Sequence, residues 1–391
     1  MYVAVKGGQT AVRNSRRLVA RTRRGPRAVP EIGADQIENQ LGLAVDRVMA
    51  EGALYDRRAA VQAIKQAQGD LVEAVFLVRA FRTTLKRFGN STPMDTEKMQ
   101  AIRRVSGAFK DLPGGQILGP TYDYTHRLIE FGPKTEGAAD ENSLCENETE
   151  KKEAPNPSFT MEPLPRVTDM LEQQGLMEKG TGDLIGAPTL DLTRQPLKIP
   201  AGRSIRLQAL ARGDEGFLLS SAYSLQRGFG LDRHPFLGEL RVGFVEVMFT
   251  PPELKFEIKI GEIKITECFM VNRFNGEKNR APGLENGFEN GYGLVFGQNE
   301  RKAMSVSLLD RSLQNAENGT AVKYPGQDQE FILAHSDNVE ASGFVQHLKL
   351  PHYVDFQSEL LSVRSLQNTH LSKKLNTRKN NIQKNNIKTG K

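Results

Sequence analysis

Two of the chain's six histidines, His347 and His352, stand five residues apart with Pro351 between them. A close imidazole pair is a natural place to look for metal chemistry, because neutral imidazole is a common ligand for zinc and its neighbours. On a helix, five residues turn the second ring about 140° from the first. On a strand, an odd separation sends the two rings to opposite faces. A turn is needed to bring them to one point, and Pro351 favours one. From spacing alone two readings stay open: one zinc ion held by His347 and His352, or two unrelated surface histidines. Two ligands do not close a tetrahedral site, so water, a substrate oxygen or a partner group would have to complete it. His335 and Asp355 are the nearest further ligands in the chain. Asp355 or a backbone carbonyl would be the outer partner that fixes each ring's tautomer.

A second group of residues suits chemistry at a sugar carbon. In His335-Ser-Asp337-Asn, a carboxylate would stabilise a developing oxocarbenium charge and a nearby acid would protonate a departing base. Asp337 and His335 are the catalytic candidates on that reading. Ser336, Asp337 and Asn338 are equally good helix-capping residues, and one residue can do both. Nucleophilic catalysis finds no Gly-x-Ser-x-Gly elbow and no Cys–His pairing.

Three glycine-rich stretches are candidates for anions. Lys110-Asp-Leu-Pro-Gly114-Gly115-Gln-Ile-Leu-Gly119 offers backbone N–H groups and a lysine, but no Gly-Lys-Ser/Thr closes it as a Walker loop, and Pro-Gly usually marks a turn. Arg227-Gly-Phe-Gly-Leu-Asp-Arg233-His-Pro235 sets two arginines and a histidine among glycines; it is either a phosphate loop or a solvated hairpin connection. Gly291-Tyr-Gly-Leu-Val-Phe-Gly297 runs towards a helix start at Asn299, which would attract anions, although the full dinucleotide fingerprint is missing.

These residues must be positioned by a fold of class α+β, with a helical N-terminal part and then a mixed α/β part containing a largely antiparallel sheet. Asp35, Asp56, Asp70 and Asp95 each precede a helical pattern. The helix after Asp35 puts Ile37, Leu41, Ala44, Val45 and Val48 on one face. The later ones run to about Gln68, about Phe88 and about Phe109. Arg79, Arg82 and Lys86 share one face of the third. Beyond, Val167–Lys179 reads as helix, and Ile205–Ala211 and Leu240–Phe249 as strands. Lys255–Ile260 and Glu262–Thr266 alternate as half-buried strands around a bend at Gly261. Asn299–Leu313 reads as helix and Phe331–Ala334 as a short buried strand.

The domain boundaries follow composition. Residues 1–132 form a mostly helical domain. Residues 133–165 are an acidic, proline-containing linker, with seven acids and two lysines between Glu136 and Glu153. Residues 166–361 form the sheet-containing domain with the histidine pair. Residues 362–391 read as a disordered basic tail, being poor in large apolar groups. That tail carries eight of the basic residues and no acid, so the net charge of +6 becomes −2 without it. The basic balance is therefore the tail's, and it does not argue for nucleic acid. Seven arginines between Arg13 and Arg27, with no acid, mark either an anionic partner or a solvated face. The two cysteines, Cys145 and Cys268, form no spaced motif and suggest reduced thiols in a cytoplasmic protein. No apolar run is long enough for a membrane span, and no secretory signal opens the chain.

Several long strings, in order, resemble the PhnI family, subunit I of the bacterial carbon–phosphorus lyase core complex. They are Met1-Tyr-Val-Ala-Val-Lys-Gly-Gly8, Gln40-Leu-Gly-Leu-Ala-Val-Asp-Arg-Val-Met-Ala-Glu-Gly52, Ala63-Ile-Lys-Gln-Ala67, Phe109-Lys-Asp-Leu-Pro-Gly-Gly-Gln116, Leu118-Gly-Pro-Thr121 and Asp123-Tyr-Thr-His-Arg127. The second half adds Ile205-Arg-Leu-Gln-Ala-Leu-Ala-Arg-Gly-Asp-Glu-Gly-Phe217, Gly291-Tyr-Gly-Leu-Val-Phe-Gly297, Glu300-Arg-Lys-Ala-Met304 and His347-Leu-Lys-Leu-Pro-His352-Tyr-Val-Asp-Phe-Gln357. The resemblance spans residues 1–131 and 160–361.

That resemblance implies a glycosyltransferase or purine nucleosidase-like subunit. With companion subunits G, H and L, a phosphonate oxygen attacks C1′ of ATP and adenine leaves, giving α-D-ribose 1-methylphosphonate 5-triphosphate when the phosphonate is methylphosphonate. It implies Mg²⁺ with ATP, and zinc on the pair His347 and His352 at the boundary with the radical iron–sulfur subunit J. Subunit K is a further partner, and two copies per complex are expected. ATP and alkylphosphonate are the expected substrates, with no nucleic acid and no membrane. From charge and context, Arg79, Arg82, Lys110, Gly114, Gly115, Arg227 and Arg233 are the substrate-anion candidates. The alternative is a non-catalytic scaffold that presents an interface zinc to the iron–sulfur subunit.

Overall fold

The structure is a computed structural model, and it describes residues 8–129, 165–177, 190–228, 233–275, 286–316 and 321–388. The expected acidic linker, apart from Pro165, and Cys145 lie outside these residues. Two compact units divide the chain. Residues 3–339 form one, residues 340–391 belong to the other, and the division falls inside a helix.

The larger unit opens with α1 (Gln9–Arg24), which has no buried residue. A four-helix cluster follows, α2 (Ala34–Gln40), α3 (Gly42–Gly52), α4 (Arg57–Gln66) and α5 (Leu71–Thr84). Apolar residues at helical spacing, Val45, Val48 and Met49 with Ala60, Ile64, Val75 and Val78, close one core. Two expected caps are present. Asp56 accepts from Ala59 N–H at 2.9 Å, and Asp70 accepts from Val72 and Glu73 N–H at 3.0 and 3.2 Å. Asp35 instead lies inside α2, whose N-cap is Gly33, and Leu41 separates that helix from α3.

The sheet is antiparallel, in the order β1 (Gln100–Val105), β2 (Phe236–Phe249), β3 (Ile258–Asn275) and β4 (Asn286–Phe296). The two expected strands around Gly261 are one strand, and the register with β2 shifts beside Gly261, a bulge at the expected place. The segment after Asp95 corrects the expectation of a helix. Asp95 caps a single 3₁₀ turn, Thr96–Lys98, and the chain then extends as β1 beside β2. Because β1 precedes the expected linker and β2 follows it, residues from both sides build one sheet.

The remaining helices of this unit are α6 (Val167–Gln173), α7 (Arg203–Arg212), α8 (Glu215–Gln226), α9 (Glu300–Leu313) and α10 (Gln329–His335). Ile205–Ala211 and Phe331–Ala334 are thus helical where strands were expected. Short apolar runs carry no decisive period, and packing against α9 and the sheet settles them.

One sheet face packs on α7, α8 and α9 through Leu210, Leu218, Leu240, Cys268, Val306 and Leu309. The opposite face holds buried ion pairs. Arg104 Nε meets Glu239 at 2.6 Å with both side chains fully buried, and Arg241 donates to Glu267 at 3.1 Å.

The smaller unit contains the end of α11 (Asn338–Gln346), a 3₁₀ turn at His347–Lys349 and α12 (Tyr353–Lys388). The stretch expected to be a disordered tail is carried through Lys388 as helix. No glycine or proline interrupts Tyr353–Lys388, and helical hydrogen bonds are local and need no partner. Between Tyr353 and Lys379 only Leu360 is even half-buried.

Candidate functional site

The histidine pair is positioned by a helix end, a turn and a proline. α11 ends at Gln346, the 3₁₀ turn carries His347, and Pro351 stops the chain before α12 begins. The two rings come together with centroids 5.4 Å apart and planes at 65°. Zn–N bonds of about 2.0–2.1 Å at tetrahedral angles put two imidazole centroids about 5 Å apart. An edge-to-face ring pair has the same separation, so the distance accommodates an ion without requiring one. His352 Nδ1 lies 2.7 Å from the Leu350 carbonyl, and His347 Nδ1 lies against the Phe344 carbonyl. A carbonyl only accepts, so each Nδ1 carries the proton and each Nε2 keeps its lone pair for a ligand. The outer partners are thus backbone carbonyls. Among the described residues no group of three or more His, Cys, Asp or Glu side chains is arranged to hold a metal, so a zinc ion here would take its other ligands from outside these side chains.

In the larger unit, two residues singled out for different reasons meet. Arg79 on α5 donates through Nη1 to both oxygens of Asp337 at 2.6 and 2.7 Å. Asp337 also accepts from Val339 N–H at 3.1 Å, which makes it the cap of α11. Its charge is therefore compensated, and it does a structural job whatever else it does. His335 ends α10, half a turn earlier in sequence. Its Nδ1 lies 2.7 Å from the Phe331 carbonyl and its ring rests on Phe331 at 4.8 Å.

Arg79 and Arg82 are anchored on consecutive carbonyls at the end of α3: Arg79 Nε on Glu51 O at 3.0 Å and Arg82 Nη1 on Gly52 O at 2.8 Å. Arg79 Nη2 also reaches the carbonyl of Arg212, the last residue of α7, at 3.3 Å. Arg212 is a member of this group that sequence reasoning missed. Its signal was a basic residue in a last helical turn before Gly213, which was hidden because this stretch was read as a strand. Burial, followed by the charges of Arg79 and Arg82, lowers the Arg212 pKa to about 10. Burial and Arg79 lower that of Arg82 as well.

The other anion candidates lie elsewhere. The loop with Lys110, Gly114 and Gly115 folds back on β1. Ile117 and Arg104 exchange backbone hydrogen bonds at 2.7 and 2.8 Å, and buried Arg104 takes the Pro113 carbonyl at 2.6 Å. Gly114 and Gly115 have φ of +79° and +78°, as the turn requires. The Lys110 side chain is exposed. Arg227 stacks on Tyr223, with its guanidinium carbon 5.8 Å from the ring centre. The Arg233 carbonyl accepts from Asn272 at 3.0 Å. Gly291 and Gly293 are explained by packing. A Cβ at either would stand 2.0 and 2.2 Å from the Ser307 and Ala303 carbonyls, so they let α9 lie directly on β4. The segment leading into α9 already has its anion: buried Asp46 accepts from Gln298 N–H at 2.8 Å and pairs with Arg57 and Lys264.

A buried cation that no site expectation named sits on α9. Lys302 is fully buried, its ammonium makes no hydrogen bond among the described residues, and Glu51 lies 3.7 Å away. Burial lowers its pKa to about 8, against the opposing pull of Glu51.

No helix among the described residues is long and apolar enough to cross a membrane. A family profile described as "Bacterial phosphonate metabolism protein (PhnI)" matches residues 1–370. The chain is 55% identical over 371 residues to "Alpha-D-ribose 1-methylphosphonate 5-triphosphate synthase subunit PhnI" of Rhizobium meliloti (strain 1021), covering 95% of this chain and 96% of that protein. It is 51% identical over 367 residues to the protein of the same name from Escherichia coli (strain K12), covering 94% and 98%. It is 42% identical over 371 residues to "Putative C-P lyase subunit protein HtxH" of Stutzerimonas stutzeri, covering 94% and 96%. With a profile match through residue 370 and two such relatives aligned almost end to end, the chain belongs to the PhnI family of bacterial phosphonate metabolism proteins.

Proposed function

We propose that this chain is a subunit of an α-D-ribose 1-methylphosphonate 5-triphosphate synthase acting in phosphonate breakdown. The observation that supports this most is its near-full-length identity to two proteins of that name. In the proposed reaction, with ATP and an alkylphosphonate as substrates, a phosphonate oxygen forms a bond to C1′ of the ribose. The C1′–N9 bond breaks, its electron pair leaves with adenine, and adenine takes up a proton. His335 suits proton delivery, because its Nδ1 is committed to the Phe331 carbonyl and Nε2 is left to exchange a proton. Asp337 contributes negative potential, held in place and partly offset by Arg79. Mg²⁺ would travel with the triphosphate.

The test is reconstitution with companion subunits G, H and L, supplied with ATP and methylphosphonate. Phosphonate-dependent release of free adenine is expected. ADP or AMP without adenine would replace glycosidic with phosphoryl chemistry.

A second reading, favoured by the converging imidazoles, has the smaller unit present zinc to an iron–sulfur partner. His347 and His352 would hold the ion through Nε2, and the ion would act there as a Lewis acid towards phosphate or phosphonate oxygens. Exchanging His347→Ala in the full assembly should remove one metal equivalent per chain by elemental analysis while adenine release persists. Loss of adenine release together with the metal would merge the two roles.

A further inference from the structure

The arginines at the junction of α5 and α7 outnumber the carboxylates that could neutralise them. Arg82 lies within electrostatic range of Arg79, Arg194 and Arg212, and Arg212 also of Arg79; the carboxylates facing these two are Asp337 and Asp191. Asp191 is already paired with Arg87 at 3.0 Å. Capping of helix ends accounts for Arg79, whose three nitrogens all donate, to Glu51 O, Asp337 and Arg212 O. It does not account for most of the donors of Arg82 and Arg212. A guanidinium has five N–H donors. Among the described residues the Arg82 side chain makes one hydrogen bond, to Gly52 O, and that of Arg212 makes one, to Leu192 O at 2.7 Å. The Arg212 Nε is buried with no hydrogen-bond partner among the described residues. Half-buried like charges with unused donors are costly, and that cost is offset when an oxyanion accepts from them.

We infer that Arg82 and Arg212, backed by Arg79 and Arg194, form a subsite for a tetrahedral phosphorus oxyanion. The inference rests on the proposed synthase reading for the identity of that anion: a nucleotide triphosphate tail or an alkylphosphonate. Each source presents equatorial oxygens to paired guanidinium forks, and a triphosphate brings enough charge to balance the whole group.

The experiment is titration calorimetry on the reconstituted complex, using inorganic tripolyphosphate and methylphosphonate as separate probes. Arg82→Gln and Arg212→Gln should each weaken one probe about tenfold or more, the loss of a charged hydrogen bond. Loss confined to tripolyphosphate places the triphosphate here, and loss confined to methylphosphonate places the phosphonate here. Either supports the subsite. Arg82→Lys, which keeps the charge, should recover part of the binding. If the glutamine variants fail to assemble, Arg194→Gln decides, because that exposed side chain makes no hydrogen bond among the described residues whose loss would unfold the chain; a loss of about threefold is expected there from charge alone. Both probes binding the assembled variants as they bind the wild type, or neither binding the wild type, overturns the subsite. Adenine release measured on the same preparations separates the two ideas. Normal release with unchanged binding sinks the subsite alone. Variant-sensitive binding without any adenine release leaves the subsite standing and sinks the synthase reading.

Discussion

Two arginine-rich regions of this chain make opposite use of the same side chain. The run from Arg13 to Arg27 is the densest in sequence, yet α1 buries no residue, and apart from half-buried Arg24, which donates to Pro26 O and Val29 O, its arginines are exposed beside Val12, Leu18 and Val19. A few arginines of the folded body, scattered in sequence, are buried in space. Arg104 and Arg241 are fully enclosed and matched one to one by Glu239 and Glu267. Arg82 and Arg212 fall between these cases, half-buried and under-matched. Density along the chain therefore says little about where an anion is wanted. The balance of burial against pairing says more, because water satisfies an exposed guanidinium and only a specific partner satisfies an enclosed one.

That contrast can be broken in graded steps. The largest effect should come from Arg104→Ala, which leaves Glu239 in the interior with, among the described residues, one hydrogen bond, from the Val167 N–H at 3.1 Å. A loss of about 3–5 kcal/mol is expected from urea unfolding. A loss no larger than that of a surface arginine would mean that water reaches this pair.

Next comes Lys302→Met, which sharpens the comparison through pH. The folded pKa of Lys302 is about 8, below the ordinary 10.5, because burial disfavours its charge. Below pH 8 the native state carries that disfavoured charge in full. Between pH 8 and 10.5 the unfolded chain still holds a proton the native chain has shed, so stability contributed by this group rises with pH. The methionine variant should melt higher than wild type at pH 7, and the gap should close as pH approaches 10.5. Melting curves that run parallel across this window would place the ammonium in contact with solvent. The smallest effect is expected from Arg16→Ala and Arg17→Ala on α1, within about 0.5 kcal/mol. A larger change would show that α1 is packed in the working assembly.

How much of this was legible depended on whether the deciding force was local. The caps at Asp56 and Asp70 were readable because a carboxylate and the N–H groups it accepts from are two or three residues apart. The bulge at Gly261 and the turn before His352 were readable for the same reason. The segment after Asp95 was not, because β1 exists by pairing with β2 more than a hundred residues away. Ile205–Ala211 and Phe331–Ala334 carry apolar residues that either element could use, and their cores chose the helix. Gly291 and Gly293 suggested an anion loop, while their job is to admit the backbone of α9.

By itself, then, the sequence determined the family, the α+β class, the helical start and the turn that brings two imidazoles together. Each of these is written in contiguous residues whose backbone preferences and neighbours are fixed by covalent distance. Only the tertiary structure decided that Arg79 holds Asp337 across 258 positions, that Arg212 joins Arg82 beside it, and that Lys302 is enclosed in the interior 3.7 Å from Glu51. Those outcomes depend on which charges are enclosed together, and enclosure is a property of the packed chain that no spacing along it records.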